Sequence, residues 1–183
     1  MAKVLVTIAN GFEEIEAISI IDILRRAQTE VVIASVEQKQ VSGAHNIKIE
    51  ADCLIDEINP LDFDMIVLPG GLPNAFTLAE DERLLKVLKE MKEAKKYISA
   101  ICAAPYALHK ADVLNKNYTC YPSFEKKIRD EGYTNQKNVV IDDKVITSAG
   151  PATAMEFALQ LVKTLTNEKT YTQVKNGLLA NNL

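Results

Sequence analysis

Short apolar runs that alternate with amphipathic stretches restrict the fold of this chain more than any other feature. The runs predict strands at Val4–Ala9, Val31–Ser35, Met65–Leu68, Tyr97–Ile101, Val139–Asp142 and Val145–Ser148. The amphipathic stretches predict helices at Glu13–Ala27, Asp81–Lys96, Ala103–Ala111, Ala152–Leu165 and Glu168–Asn176. Strands that are apolar on both faces belong to a parallel sheet covered by helices on each side. We therefore expect an α/β fold, a doubly wound sandwich with a mostly parallel sheet. A hairpin is expected to run through Glu37–Gln40 to Val41 and on to Ile47–Glu50.

Length and composition fit an ordinary globular protein. The 183 residues suit a single domain, 1–183. A composition of 48% apolar and 25% charged residues argues against disorder and against a coiled coil. The formal net charge is −4, so there is no basic surplus for phosphate groups and no nucleic acid partner is expected. No apolar stretch reaches the roughly 18–20 residues that span a bilayer, and Val4–Ala9 is too short for a signal peptide. We expect a cytoplasmic protein without a membrane partner.

The cysteines and histidines match no disulfide or metal pattern. Cys53, Cys102 and Cys120 are odd in number and widely spaced, which argues against a disulfide framework. His45 and His109 complete no zinc motif with them, so no metal is expected. We interpret Cys53 and Cys120 as packing residues, which leaves Cys102 as the candidate for a special thiol.

Cys102 stands where a predicted strand meets a predicted helix, whose start is marked by Pro105. This turn would direct the sulfur out of the sheet edge, where the positive end of the helix would favour a thiolate. The alternative is a small buried hydrophobic residue, a common role of free cysteine. His109 lies about two helical turns further on, so we do not expect it to act as a base.

The first helix places an acidic residue on its apolar face. At about 100° per residue, Glu16 falls between Ile20 and Ile23. Glu13 lies on the same arc but belongs to the first turn, where a carboxylate serves the helix dipole. One interpretation is that Glu16 reaches solvent. The other is a buried carboxyl with a raised pKa that stays protonated and donates a hydrogen bond to a neighbouring thiolate.

The opposite face of that helix carries two isoleucines among polar residues. Ile15 and Ile18 lie with Glu14, Asp22 and Arg25 on this face. Exposed apolar residues here predict a partner surface, and homodimerisation through the helix Glu13–Arg26 is the natural hypothesis. Scattered exposed apolar residues are also normal, which is the alternative.

Gly70-Gly71 follow a buried strand and could let backbone N–H groups converge on an anionic oxygen, as in an oxyanion hole. The alternative is a simple turn. Cys102, Glu16 and Gly71 together are more informative, because each lies beyond the predicted carboxyl end of a strand, where doubly wound folds bind ligands.

Four motifs give the chain a family resemblance. Gly11–Glu16, Leu68–Gly71, Ala100–Pro105 and Thr147–Thr153 resemble the DJ/ThiJ/PfpI superfamily in order and spacing. The branch they resemble most contains the parkinsonism-associated deglycase and the bacterial protein YajL. The resemblance implies a flavodoxin-like sandwich, a homodimer and an oxidisable nucleophilic cysteine.

The resemblance also assigns roles to individual residues. It matches the nucleophile to Cys102, its partner carboxyl to Glu16, and the backbone donors to Gly71 and Ala103. The substrate-binding positions that it implies are Gly70, Tyr121, Gly150 and Pro151. No metal or organic cofactor is implied.

Three positions depart from the family pattern. Tyr121 stands where some relatives carry a histidine, Ala103 where peptidase-type members carry one, and Ala149 where an arginine is frequent. A Cys–His pair, peptidase activity and glutamine amidotransfer are therefore poorly supported. Tyr121 could supply a hydroxyl near the thiol, or could simply pack.

The sequence leaves three functions open. The first is a stress-response enzyme, a hydrolase or hydro-lyase of the glyoxalase or deglycase type, in which Cys102 attacks a dicarbonyl or a glycation adduct and Glu16 moves the proton. The second is a redox sensor or chaperone whose Cys102 becomes a sulfinic acid. The third is a binding module with a vestigial pocket. An older family label links some members to thiamine thiazole synthesis.

Overall fold

A seven-stranded sheet forms the centre of the protein in a computed structural model that describes residues 1–180. The strands of this sheet are β1 (Lys3–Ile8), β2 (Glu30–Ser35), β5 (Cys53–Leu54), β6 (Met65–Leu68), β7 (Tyr97–Ile101), β8 (Val139–Asp142) and β9 (Val145–Ser148). Their order across the sheet is β5-β2-β1-β6-β7-β9-β8, and every pairing is parallel except that of β8 with β9. The last three residues of the predicted domain, 181–183, lie outside the described residues.

Seven α-helices surround the sheet within the described residues. They are α1 (Glu14–Arg26), α2 (Asn74–Glu80), α3 (Glu82–Glu93), α4 (Pro105–Lys110), α5 (Glu125–Ile128), α6 (Ala154–Leu165) and α7 (Glu168–Gly177). Short 3-10 turns occur at Ile55–Glu57, Pro60–Asp62 and Pro151–Thr153. None of the described helices is long and apolar enough to cross a membrane.

The strands bury side chains on both faces of the sheet. Val4 and Val6 pack into one apolar layer with α1 and α6, whereas Leu5 packs into the other layer with α3. This arrangement explains why β1 reads as an unbroken apolar run, since neither face meets water. The predicted α/β doubly wound fold is confirmed.

Two local predictions need correction. The hairpin consists of β3 (Gln40–Ser42) and β4 (Lys48–Glu50), so its turn lies at residues 43–47 rather than at Glu37–Gln40. The helix predicted from Ala103 begins at Pro105, because the residues before Pro105 form the turn that carries Cys102.

Parallel strands bring their carboxyl ends to one edge of the sheet. The segments that follow β1, β6, β7 and β9 at this edge are Asn10-Gly11, Pro69–Gly71, Cys102 and Ala149-Gly150. The sheet therefore brings together the segments that carry the predicted site.

Candidate active site

Cys102 sits on a strained turn between β7 and α4. Its φ is +64°, a backbone conformation that residues with a side chain rarely adopt. Two hydrogen bonds fix this conformation: the Cys102 N–H donates to the Ser148 carbonyl oxygen at 3.0 Å, and the Tyr121 N–H donates to the Cys102 carbonyl oxygen at 2.8 Å. The side chain is 8% exposed. The predicted strand–turn–helix arrangement is present, and it resembles the turns that present nucleophiles at sheet edges.

Glu16 is completely buried in the first turn of α1. Its Oε2 accepts a hydrogen bond of 2.7 Å from the Gly70 N–H, and its carboxyl and the Cys102 thiol are close enough to shift each other's pKa. The other oxygen, Oε1, has no hydrogen bond of good geometry within the described residues. Glu13 caps the helix by accepting a 2.8 Å hydrogen bond from the Glu16 N–H. The alternative of a solvent-exposed Glu16 is therefore wrong.

Burial changes the ionisation of both members of this pair. It raises the pKa of Glu16 to about 7, although the Gly70 N–H opposes the shift. Burial also raises the pKa of the Cys102 thiol, and a charged Glu16 raises it further. The N–H groups of Ala103 and Gly71 lower it, but they do not compensate. The loss of solvation thus acts against the thiolate that the helix end favours.

The glycines of the β6 loop make room for the pair. A Cβ on Gly70 would lie 2.6 Å from the Cys102 Cβ and 2.9 Å from Glu16 Oε2. Gly71 has a φ of +93°, and a Cβ there would lie 2.3 Å from the Gly11 carbonyl oxygen. The close approach of the carboxyl and the thiol therefore depends on the absence of side chains at these two positions.

Tyr121 and Gly150 lie on the other side of Cys102. The Tyr121 ring packs beside Gly150, where a Cβ would lie 3.2 Å from Tyr121 Cδ2, and the side chain is 48% exposed. Pro151 begins the 3-10 turn that follows, in which Thr153 Oγ1 accepts a 3.1 Å hydrogen bond from the Gly150 N–H. Thr153 Oγ1 also lies 2.7 Å from the hydroxyl of Ser148, which ties this loop to the end of β9.

The other two cysteines lie in different surroundings. Cys120 is almost completely buried, and burial raises the pKa of its thiol to about 12. Cys53 is partly exposed on β5, and burial raises the pKa of its thiol as well. Burial lowers the pKa of His109, which is on α4. These environments agree with the prediction that Cys53 and Cys120 are packing residues.

Glu14 is a buried residue that the sequence analysis placed on the polar face of α1. Its Oε1 accepts a 2.6 Å hydrogen bond from the His45 N–H, and its Oε2 lies 3.0 Å from His45 Nδ1. Although burial raises the pKa of Glu14, the bonds from His45 lower it below its usual value. Among the described residues, Glu13, Glu14 and His45 have ligand atoms close enough to hold a cation, but these internal bonds account for their proximity.

Asn74 is a second residue that sequence reasoning missed. It is fully buried at the start of α2 and bonds to the ends of both β1 and β6 through Ala9, Pro69 and Gly70. A seven-residue helix gives too little periodicity to be recognised, and the partners of Asn74 include a residue 65 positions away.

The profile of the DJ-1/PfpI family matches residues 2–164 of this chain. The chain belongs to the DJ-1/PfpI family. Protein DJ-1 homolog A of Arabidopsis thaliana is 43% identical over 164 residues, which are 88% of this chain and 42% of that relative. The chain thus spans less than half the length of this relative and of its Arabidopsis homologue B.

Two further members of the DJ-1/PfpI family match nearly end to end. The Caenorhabditis elegans protein named glutathione-independent glyoxalase DJR-1.2 is 38% identical over 170 residues, which are 92% of this chain and 91% of that protein. The structure titled Toxoplasma gondii DJ-1, oxidized, has a TM-score of 0.93 and 37% identity, and the match covers 98% of both chains. The flavodoxin-like fold implied by the resemblance is confirmed.

Proposed function

We propose that this DJ-1/PfpI protein is a stress-response enzyme that acts on small reactive dicarbonyls or on their glycation adducts. The observation that carries the proposal is the close approach of the buried Glu16 carboxyl and Cys102 around Gly70, where one added Cβ would lie 2.6 Å from the Cys102 Cβ and 2.9 Å from Glu16 Oε2. A carboxyl with a pKa of about 7 can both take and return a proton near neutral pH. A relative with a glyoxalase name supports the same class of reaction.

The first step is addition of the thiol to the aldehyde. The Cys102 sulfur forms a bond with the aldehyde carbon, and the carbonyl electron pair moves to the oxygen. The thiol proton passes through Glu16 to that oxygen, which gives a hemithioacetal. The N–H groups of Gly71 and Ala103, which already interact with the sulfur, would stabilise the oxyanion as it develops.

Glu16 then moves a proton between carbon atoms. Its carboxylate removes the proton from the carbon bonded to sulfur, the hydroxyl on that carbon passes its proton to the neighbouring carbonyl oxygen, and Glu16 returns the first proton to that second carbon. The product is a thioester of Cys102. Attack by water breaks the carbon–sulfur bond and restores the thiol, so that methylglyoxal plus water gives lactate. The thiol, the carboxyl and water account for every proton and electron pair, so the scheme requires no cofactor.

The groups around Cys102 provide a place for a small substrate. In this proposal the Tyr121 ring, Gly150 and Pro151 form one wall of the substrate site beside Cys102. The half-exposed ring of Tyr121 would pack against the substrate's apolar end.

Lactate formation from methylglyoxal tests the proposal. Cys102→Ser keeps the size of the side chain but removes the thiol, so we expect lactate formation to fall to the rate without enzyme. Cys53→Ser is the matched control and should keep the full rate. Activity retained in Cys102→Ser would exclude Cys102 as the nucleophile.

A redox sensor or chaperone is the second candidate function. The free Oε1 of Glu16 could bind an oxygen added to the Cys102 sulfur, and a similar solved structure is described as oxidized. Peptide mass analysis after mild peroxide should then find two added oxygens on the Cys102 peptide. Earlier oxidation of Cys53 or Cys120 would contradict this role.

We also propose a homodimer formed through α1. Ile15 and Ile18 are exposed on this helix, and exposed Ile47 is the last residue of the hairpin turn. The turn is tied to α1 because Glu14 accepts hydrogen bonds from the backbone of His45 and Ile47. One apolar surface across α1 and the hairpin would suit a symmetric interface.

We propose that the protein works in the cytoplasm. Cys53, Cys102 and Cys120 are all free thiols, which suits a reducing compartment.

A further inference from the structure

Asn74 satisfies all of its side-chain hydrogen-bonding groups with backbone partners. Its Oδ1 accepts a 2.7 Å bond from the Ala9 N–H, and its Nδ2 donates to the carbonyl oxygens of Pro69 at 2.8 Å and Gly70 at 2.9 Å. The residue has no exposed surface. One buried amide therefore joins the end of β1 to the loop that follows β6.

The two carbonyls that Asn74 holds belong to the two peptide units that face the proposed catalytic pair. The Pro69 carbonyl shares a planar peptide unit with the Gly70 N–H, which donates to Glu16 Oε2 at 2.7 Å. The Gly70 carbonyl shares the next unit with the Gly71 N–H, which interacts with the Cys102 sulfur. Fixing each carbonyl oxygen fixes the direction of the N–H on the opposite side of the same unit.

A glycine pair needs such an external restraint. Gly70 must lack a Cβ to leave space for Glu16 and Cys102, and Gly71 must lack one to leave space for the backbone of Gly11 and Glu13. Glycine rotates its peptide units more freely than any other residue. The Glu13 N–H also donates to the Gly70 carbonyl at 3.0 Å, but within the described residues no other hydrogen bond holds the Pro69 carbonyl. The orientation of the Gly70 N–H toward Glu16 thus depends most directly on the hydrogen bond from Asn74 to the Pro69 carbonyl.

We propose that Asn74 is a positioning residue that sets the protonation of the pair by aiming the Gly70 N–H at Glu16 and the Gly71 N–H at Cys102. The inference rests on the proposed role of Glu16 and Cys102. Without these N–H groups, the charged forms of both residues lose stabilising donors. The pair then loses its shared proton at a higher pH.

The test is the pH dependence of Cys102 alkylation by iodoacetamide, with the modified peptide identified by mass. Asn74→Asp keeps the acceptor for Ala9 but loses both donors, and Asn74→Ala loses them without adding a charge. We expect both variants to shift the alkylation inflection to higher pH by roughly one unit, since the charged forms of Glu16 and Cys102 each lose an oriented N–H donor.

Asn115→Asp is the matched control. Asn115 accepts a hydrogen bond from Lys92 Nζ and donates one of 2.6 Å to the Asp142 carbonyl oxygen, at the far edge of the sheet. This variant should lose stability without moving the alkylation inflection. A folded Asn74→Ala with the wild-type inflection would overturn the proposal, as would a shift confined to Asn74→Asp, which would reflect charge alone.

Two design choices keep the result interpretable. Should Asn74→Ala fail to fold, Asn74→Ser keeps an acceptor for the Ala9 N–H but lacks the amide that holds both carbonyls, and the same shift is expected of it. Alkylation needs no turnover, so a failure of lactate formation in the wild type would contradict the proposed reaction and leave this test intact.

Discussion

Gly70 has no room for a methyl group beside Cys102, since a Cβ at this position would lie 2.6 Å from the Cys102 Cβ. The same Cβ would lie 2.9 Å from Glu16 Oε2. Gly70 thus lies beside both members of the pair and holds one of them with its N–H. A side chain at this position would push the carboxyl and the thiol apart.

Gly70→Ala should therefore separate the pair. We expect lactate formation to fall by about 100-fold, the loss typical of a displacement of about 1 Å at a reacting centre. Gly177→Ala is the matched control, because a Cβ at Gly177 meets no atom within 4 Å. That variant should keep full activity and gain up to about 1 kcal/mol of stability. Full activity in Gly70→Ala would contradict the geometry described for the site.

Glu16→Gln should change how stability depends on pH. The folded pKa of Glu16 is about 7 against 4.5 in the unfolded chain, so the folded state binds more protons between these values. Stability therefore falls as pH rises from 4.5 to about 8, by about 3 kcal/mol. Glu16→Gln has no ionisable carboxyl at this position, so its stability should not fall in this way as pH rises. Urea unfolding of both proteins at several pH values measures it, and a difference that stays constant with pH would rule out a raised pKa at Glu16.

Tyr121→Ala tests the wall formed by the aromatic ring. Loss of the ring beside Gly150 should raise KM for methylglyoxal by roughly 2–10-fold, with a smaller effect on kcat. Tyr121→Phe keeps the ring and should behave like the wild type. A large loss of kcat in Tyr121→Phe would instead assign a chemical role to the hydroxyl.

Ile18→Glu tests the proposed dimer. In a symmetric interface the substitution occurs twice, and each buried isoleucine is worth about 1.5–3 kcal/mol, so the dimer Kd should weaken by more than about 100-fold. Ile141→Glu is the control, since Ile141 is equally exposed but lies on the edge strand β8. Sedimentation velocity distinguishes the states. Equal effects of both variants would contradict an interface through α1.

Local patterns were sufficient to predict much of the fold and part of the site. β6, β7 and β9 have the predicted bounds, because a strand buried on both faces is recognisable from its own residues; the edge strand β8 also has its predicted bounds. The position of Glu16 followed from helical periodicity, which α1 obeys along its length.

Features that depend on distant contacts could not be predicted in the same way. Glu14 is buried because the turn of the hairpin covers it, some thirty residues along the chain. Asn74 acts on loops that precede it by up to 65 residues. The helix end beside Cys102 is visible in the sequence, whereas the burial that raises the pKa of its thiol is not.

The most direct test of the proton-sharing pair is the pH dependence of Cys102 alkylation by iodoacetamide in the wild type and in Glu16→Gln. We expect the rate of Cys102 alkylation in the wild type to show an inflection near pH 7, where Glu16 titrates beside the thiol. In Glu16→Gln that inflection should vanish, and alkylation should rise only at the higher pH at which a buried thiol ionises alone. The same inflection in both proteins would contradict the pairing of Glu16 with Cys102.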